Sequence, residues 1–246
     1  MLGDARVALA FLTRIPVDDG RMLDAHAMNR AAVWFPAVGL LVGAVVGGVR
    51  LLAELALPAG PATVLALTAG ILLTGAFHED GLADIADGVG AHVGRERKLE
   101  ILRDSRVGTY GALAVALPLL FAYACLTPLD GAEFLAVAIC AHVLGRWSVL
   151  PHSRLASPAR TDGSGSLVRA TLPGLAVGTL VAAGVVGVAA GPPDGAVMFA
   201  VAIAVILAVG LGLARVLGGV TGDSYGAVNK LVELSAYGCA AALWMT

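Results

Sequence analysis

Long apolar stretches without charged residues alternate with short polar connections along this chain. Five of them approach the roughly 20 residues that a helix needs to cross a bilayer: 31–49, 55–77, 107–129, 170–193 and 195–214. Two weaker stretches, 134–150 and 225–245, contain charged residues. The pattern predicts an all-α, polytopic membrane helix bundle with about seven transmembrane helices, forming one integral-membrane domain over residues 1–246.

The N-terminal segment MLGDARVALAFLTRIP has too short an apolar part for a signal peptide. Arg14 and Pro16 also stand where a cleavage site would need small residues. We expect an interfacial helix that remains attached to the protein.

Composition narrows the possible partners. Only 14% of the 246 residues are charged, against about 25% in a typical soluble domain. The formal net charge of −2 provides no basic excess for a nucleic-acid backbone, so no nucleic-acid partner is expected. Glycines at positions 39, 43 and 47 form successive GxxxG steps that predict close helix packing. A homo-oligomer remains open.

Basic residues are distributed unevenly over the connections. Fifteen of the sixteen fall before the first stretch or in alternate connections after it, and only Arg50 falls on the opposite side. The positive-inside rule therefore predicts a cytoplasmic N-terminus and cytoplasmic chemistry.

The most polar segment, 78–106, carries twelve charged residues. Asp80, Asp84 and Asp87 are spaced four and three residues apart, so on a helix they share a face. Like charges at this spacing destabilise a helix, and a divalent cation would neutralise them. Carboxylates together with substrate phosphates are typical of Mg²⁺ sites. The alternative is a solvated acidic face, and His78 and Glu79 are weaker ligand candidates.

Two further constellations flank apolar stretches. In LRDSRVGTYGALA, Asp104 lies between Arg103 and Arg106 and is followed by glycines. This pattern suits a phosphate clamp, although the arginines could equally be membrane anchors. In TGDSYGAVNKLVEL, Asp223, Asn229 and Glu233 open the last stretch. Polar groups there favour a functional site, although Asp223 could simply cap the helix.

The blocks FHEDGLADIADG and RDSRVGTYGALA, preceded by FLTRIPV and WFPAVGLLVGAVVG and followed by TGDSYGAVNKLVEL, resemble the cobalamin synthase family. The resemblance covers essentially the whole chain in order. It departs at His152, where an aromatic residue is expected, at Arg103, where lysine is common, and at Lys230, where an acidic residue is frequent. These departures affect only local contacts.

The resemblance implies a multi-pass enzyme of a bacterial or archaeal inner membrane, an adenosylcobinamide-GDP ribazoletransferase. Such an enzyme uses Mg²⁺ to join adenosylcobinamide-GDP to α-ribazole or its 5′-phosphate, and it releases GMP. The active site would face the cytoplasm.

Together, the motifs and the resemblance assign roles to individual residues. Asp80, Asp84 and Asp87 are expected to bind one or two Mg²⁺ ions, and Asp104 and Asp223 are candidates for further ligands or the general base. The expected substrate and phosphate contacts are Arg14, Arg103, Arg106, Arg146, Asn229 and Glu233. The corrinoid needs a wide cavity, and we expect the bundle to open at WFPAVG.

Two other functions remain open. A CDP-alcohol phosphotransferase also carries spaced aspartates on membrane helices, but Asp84 stands where that pattern has an arginine. An ion-coupled transporter would place its charges near the bilayer midplane, whereas these charges flank the apolar stretches.

Overall fold

The computed structural model describes residues 2–17, 24–160 and 168–245. The predicted all-α fold is confirmed. The α-helices of the described residues are α1 (Leu2–Leu12), α2 (Ala25–Ala31), α3 (Phe35–Ala53), α4 (Ala59–Thr74), α5 (Phe77–Gly90), α6 (Arg95–Ile101), α7 (Thr109–Leu126), α8 (Gly131–His152), α9 (Leu172–Ala189), α10 (Pro192–Val205), α11 (Leu211–Leu217) and α12 (Gly222–Trp244). A 3-10 turn joins α2 to α3, and a π-helical turn joins α10 to α11.

Each predicted stretch corresponds to one or two of these helices. Five segments of the described chain are long and apolar enough to cross a membrane: Ala25–Ala53, Thr109–Leu126, Gly131–His152, Leu172–Ala189 and Pro192–Leu217. A sixth span results if α4 and α5 count as one broken span. The predicted membrane helix bundle is therefore confirmed, and the predicted number of seven transmembrane helices is not. The last helix, α12, is outside the set and carries Asp223, Lys230 and Glu233.

Helices α3 and α8 pack closely against each other, and their contact depends on small residues. A Cβ on Gly39 would collide with the carbonyl of His142, and one on Gly43 would lie 2.6 Å from the Ile139 Cα. Glycine thus permits backbone contact, as the GxxxG pattern predicts. The expected opening at WFPAVG is wrong, because Phe35 and Pro36 are buried where α3 begins.

A sharp corner separates α4 from α5. Gly75 ends α4 in the left-handed region (φ 65°), and Ala76 follows with φ 57°. The axes of the two helices consequently differ by 87°. Glycine adopts this conformation readily, whereas alanine does so at a cost of roughly 1–2 kcal/mol. The corner turns the acidic helix α5 away from the direction of the apolar helix α4.

Helix α5 packs on the start of α12. A Cβ on Gly81 would lie 3.0 Å from the carbonyl oxygen of Asp223 and 3.3 Å from the Cα of Gly226. Because these two glycines have no side chains, the backbones of the two helices can approach closely. Residues on either side of Gly81 are therefore held close to Asp223. The N-terminal helix α1 buries Ala8 and Leu12 against this bundle, so the predicted N-terminal helix is present.

Candidate active site

A cluster of carboxylates forms where α5 meets α12, outside the long apolar helices. Burial raises the pKa of the Asp84 carboxyl to about 7. The negative charges that add to this rise in pKa are those of Asp80, Asp223 and Asp87. Because the backbone of α5 at Gly81 packs directly on Asp223, the structure brings the two ends of the predicted site together.

Asp223 is not the cap of α12. The hydroxyl of Thr221 accepts a hydrogen bond from the amide of Ser224 at 3.0 Å, and the Ser224 hydroxyl accepts one from the amide of Thr221 at 2.9 Å. This capping box leaves Asp223 free for another role. Its Oδ2 is buried without a hydrogen-bond partner and lies 3.7 Å from a guanidinium nitrogen of Arg160. Burial raises the pKa of Asp223 to about 6 despite that arginine.

Asp87 has different partners from the rest of the aspartate stripe. Its two carboxylate oxygens accept hydrogen bonds from the backbone amides of Gly108 at 2.7 Å and Gly111 at 2.9 Å. These amides open α7, so the carboxylate satisfies free N–H groups and interacts favourably with the helix dipole. Asp87 thereby connects α5 to α7. Its predicted role as a metal ligand remains a prediction.

Asp104 lies in the connection between α6 and α7, paired with Arg106. The Arg106 side chain donates to both carboxylate oxygens, at 2.9 Å and 2.6 Å. This pairing lowers the pKa of Asp104 to about 2, which is unfavourable for a general base. Arg103 and Arg106 are both exposed. Within the described residues, no contact joins Asp104 to the cluster formed by Asp80, Asp84 and Asp223.

An open cavity of about 420 Å³ lies beside the corner between α4 and α5. Arg14 and Asp80 line it, so it connects one predicted phosphate contact with the carboxylate cluster. The Nε of Arg14 occupies the space that a Cβ on Gly75 would need. The backbone amide of Arg14 also donates to the carbonyl of Leu73 at 2.7 Å. Because Gly75 has no Cβ, the guanidinium of Arg14 can lie against it at the cavity wall.

A second cluster of polar side chains is buried among α5, α8 and α12. Lys230 Nζ lies 2.9 Å from Glu79 Oε1 and 2.6 Å from Glu233 Oε2. The other oxygen of Glu233 pairs with Arg146 and lies 3.1 Å from Nδ1 of His142. Two cations and two carboxylates thus form a compensated ionic network, as buried charges require.

This ionic network contains two of the predicted substrate contacts, Arg146 and Glu233. Both are almost completely buried, and each is the other's partner. Asn229 is also fully buried, and neither polar atom of its amide has a hydrogen-bond partner. The structure places these three residues inside the bundle rather than at the large cavity. Their substrate-binding role remains a prediction.

The sequence did not indicate every member of the carboxylate cluster and of the ionic network. The sequence does not single out His142 and Lys230, it makes Glu79 a weak candidate, and it places Arg160 only among the basic residues of the cytoplasmic connections. The sequence spacing does indicate that these side chains can pair on a helix, because His142 and Arg146 are four residues apart and Lys230 and Glu233 are three apart. Ionisable groups within apolar helices usually have partners in the bundle interior.

The donor chemistry of the carboxylate cluster fits Mg²⁺. The aspartates supply only hard oxygen ligands, and Asp80 opens onto the cavity that Arg14 also lines. Within the described residues, no three Asp, Glu, His or Cys side chains could hold a metal ion by themselves. Mg²⁺ commonly uses one or two carboxylates and completes its coordination with water and substrate phosphates. The residues therefore fit an ion that is shared with a phosphate substrate.

The all-helical membrane bundle defines a polytopic membrane protein. Its cavity, lined by Arg14 and by Asp80 of the carboxylate cluster, suits a phosphate ligand. The family model described as cobalamin-5-phosphate synthase matches residues 4–241. The chain therefore belongs to the cobalamin-5-phosphate synthase family, and the resemblance seen in the sequence is confirmed.

Curated relatives support this assignment over nearly their whole length. The adenosylcobinamide-GDP ribazoletransferase of Mesorhizobium japonicum is 38% identical, with 96% of this chain and 91% of the relative covered. The enzyme of the same name from Bradyrhizobium diazoefficiens is also 38% identical, with 100% and 95% covered. Family membership makes the chain a transferase. No solved structure matches it.

Proposed function

We propose that this protein transfers the adenosylcobinamide phosphate group from adenosylcobinamide-GDP to α-ribazole or its 5′-phosphate, with release of GMP. The observation that carries the proposal is the packing of α5 on the start of α12 at Asp223, next to a cavity that Asp80 and Arg14 line. Family membership and the names of the curated relatives support the choice of substrates.

Asp80 and Asp84 would hold Mg²⁺ together with oxygens of the donor's diphosphate. The bound ion would neutralise the negative charge that develops on those oxygens during phosphoryl transfer. Arg14 donates to phosphate oxygens from the cavity wall, where its planar guanidinium can contact two of them. Asp87 holds α5 against the start of α7, which keeps the neighbouring carboxylates in place.

Asp223 is the proposed proton acceptor. The acceptor's hydroxyl oxygen forms a new bond to the cobinamide-side phosphorus, and the bond from this phosphorus to the bridging oxygen breaks. GMP leaves with that electron pair, and the hydroxyl proton passes to the Asp223 carboxylate. Burial raises the pKa of this carboxyl to about 6, close to the range that suits a general base.

We further propose a multi-pass protein of the inner membrane whose N-terminus and site face the cytoplasm. The support is the concentration of basic residues before the first apolar stretch and in alternate connections after it.

The test is GMP release by the purified protein supplied with adenosylcobinamide-GDP and α-ribazole. Wild type should release GMP, whereas Asp223→Asn and Asp84→Asn should reduce kcat to less than about a tenth, a barrier change above ~1.4 kcal/mol. Glu96→Gln is the matched control, because this exposed carboxylate lies on α6. CDP-alcohols should not replace the donor. Absence of GMP release, or equal activity with CDP-alcohols, would contradict the proposal.

A further inference from the structure

One wall of the 420 Å³ cavity is aromatic and has no role in the mechanism described above. Phe11 and Phe77 line the cavity together with Arg14, Thr13 and Asp80. Its volume falls within the range of about 300–1,000 Å³ that is typical of small-molecule sites. The cavity therefore offers an aromatic surface opposite charged and hydroxyl groups.

The aromatic wall is held in place by packing behind it. Phe11 stacks on the fully buried Phe35, with ring centroids 6.0 Å apart and planes 11° apart. Phe77 meets Phe11 edge to face at 5.3 Å and 76°. Such pairs restrict ring orientation and contribute beyond the area that they bury. The side chain of Phe77 still remains 38% exposed, so part of the ring is free for a ligand.

The polar side of the same cavity suits an anion attached to an aromatic group. Within the described ranges, the guanidinium of Arg14 has no ion-pair partner, although it sits against the backbone of Gly75. A ligand that combines a flat ring with an anionic group such as phosphate would match both sides of the cavity. Nucleotides have this combination, and bases stack on aromatic side chains with a large gain in affinity.

We propose that Phe77, supported by Phe11, forms a stacking subsite for the flat heterocycle of a ribonucleotide whose phosphate binds Arg14. This inference rests on the proposed function, because both the guanosine of the donor and the ribazole of the acceptor carry such a ring on a ribose. The subsite fixes the orientation of one substrate relative to Asp80.

The test measures equilibrium binding of three probes by calorimetry: GMP, α-ribazole 5′-phosphate and inorganic phosphate. Phe77→Leu keeps apolar bulk but removes the aromatic face, and it should weaken the binding of one nucleotide roughly five- to hundred-fold. Phe77→Trp should retain the affinity for that nucleotide. Arg14→Gln should weaken the binding of inorganic phosphate, which Phe77→Leu should leave unchanged.

Phe121→Leu on α7 is the matched control, because Phe121 is also exposed, at 48%, and does not line this cavity. Weakening confined to GMP assigns the subsite to guanine, and weakening confined to the ribazole phosphate assigns it to the acceptor. Unchanged binding of both nucleotides by Phe77→Leu, or equal weakening of all three probes, would overturn the inference. Turnover by wild type tests the proposed function separately, because binding of GMP needs no reaction.

Discussion

The aspartates at positions 80, 84 and 87 share one helix face but have different surroundings. Asp84 is half-buried among negative charges, and Asp80 lines the large cavity. Asp87 instead accepts two backbone hydrogen bonds at the start of α7. Spacing along a helix identifies residues on one face, but it cannot identify what that face meets. Partners that are distant in sequence, here Gly108 and Gly111, decide the role.

This difference predicts that two isosteric substitutions affect stability differently. Asp87→Asn should lower thermal stability, by about 0.5–2 kcal/mol, because the amide replaces one accepting oxygen and removes the charge at the α7 N-terminus. Asp84→Asn should not destabilise the metal-free protein, because it removes a carboxylate that other negative charges oppose. Thermal unfolding in detergent with chelator measures both. Asp84→Asn being the more destabilising of the two would contradict this division.

At the scale of elements, the α4–α5 corner links backbone conformation to the site. Gly75→Ala should destabilise the protein, because alanine is strained at this φ and its Cβ would displace the Arg14 side chain. It should therefore also weaken binding of inorganic phosphate.

Ala76→Gly is the matched control, because it permits the same positive φ and adds no atom. Its unfolding temperature should equal or exceed that of wild type, and its phosphate affinity should be retained. Calorimetric titration of both variants measures the difference. Equal phosphate binding by Gly75→Ala and wild type would show that Arg14 does not depend on the corner.

The ionic network fixes α5 to α12. Lys230→Met would leave Glu79 and Glu233 with less compensation in the bundle interior, and losing one partner of a buried pair costs about 3–5 kcal/mol. We expect a large fall in unfolding temperature. Adding Glu79→Gln should recover part of the loss, because it removes one uncompensated carboxylate.

The control for this network is Arg97→Met, which removes an exposed cation from a surface pair on α6. Such pairs contribute about 0–1 kcal/mol, so its unfolding temperature should hardly change. If the double variant with Glu79→Gln were no more stable than Lys230→Met, the two side chains would not be coupled, and the network would not hold the helices together.

For the whole molecule, apolar stretches were sufficient to predict the helices but not how they are used. Each predicted stretch is helical, since about 20 apolar residues satisfy their backbone groups in lipid only as a helix. The count of spans depends on the bend between α4 and α5, where Gly75 and Ala76 both have positive φ. Likewise, Arg146 was assigned to a connection, yet Glu233 holds it within the bundle. Such pairing joins residues that are distant in sequence.

Arg146 and Lys230 lie within the bundle, and the opposing Arg50 is fully buried as well, so thirteen basic residues support the predicted orientation. This imbalance still predicts that the α5–α6 connection is cytoplasmic and the α7–α8 connection external. A membrane-impermeant thiol reagent should label Ala132→Cys from outside and His92→Cys only after the membrane is opened. Both positions are exposed, and the native Cys239 should first be replaced by serine. Labelling of both from the same side would contradict the orientation.

Activity should require a divalent ion, with Mg²⁺ or Mn²⁺ supporting turnover and Ca²⁺ binding without supporting it well. Carboxylate and phosphate oxygens accept all three ions. Phosphoryl transfer favours the near-octahedral geometry of Mg²⁺, at about 2.0–2.1 Å, over the looser shell of Ca²⁺ at about 2.3–2.6 Å. Steady-state rates of GMP release in each ion, after chelator treatment, measure this selectivity. Full activity in excess chelator would mean that the acidic face has no catalytic ion.

The same arrangement predicts that metal and donor bind cooperatively. Two carboxylates, Asp80 and Asp84, leave the coordination of Mg²⁺ incomplete, so phosphate oxygens of the donor should complete it. Metal affinity should rise when adenosylcobinamide-GDP is present, and donor affinity should rise with metal by the same factor, because the coupling of two ligands is reciprocal. Titrations in both orders measure the two factors. In Asp84→Asn the two coupling factors should fall together. If metal affinity did not change when the donor is added, the ion would not bind between these carboxylates and the diphosphate.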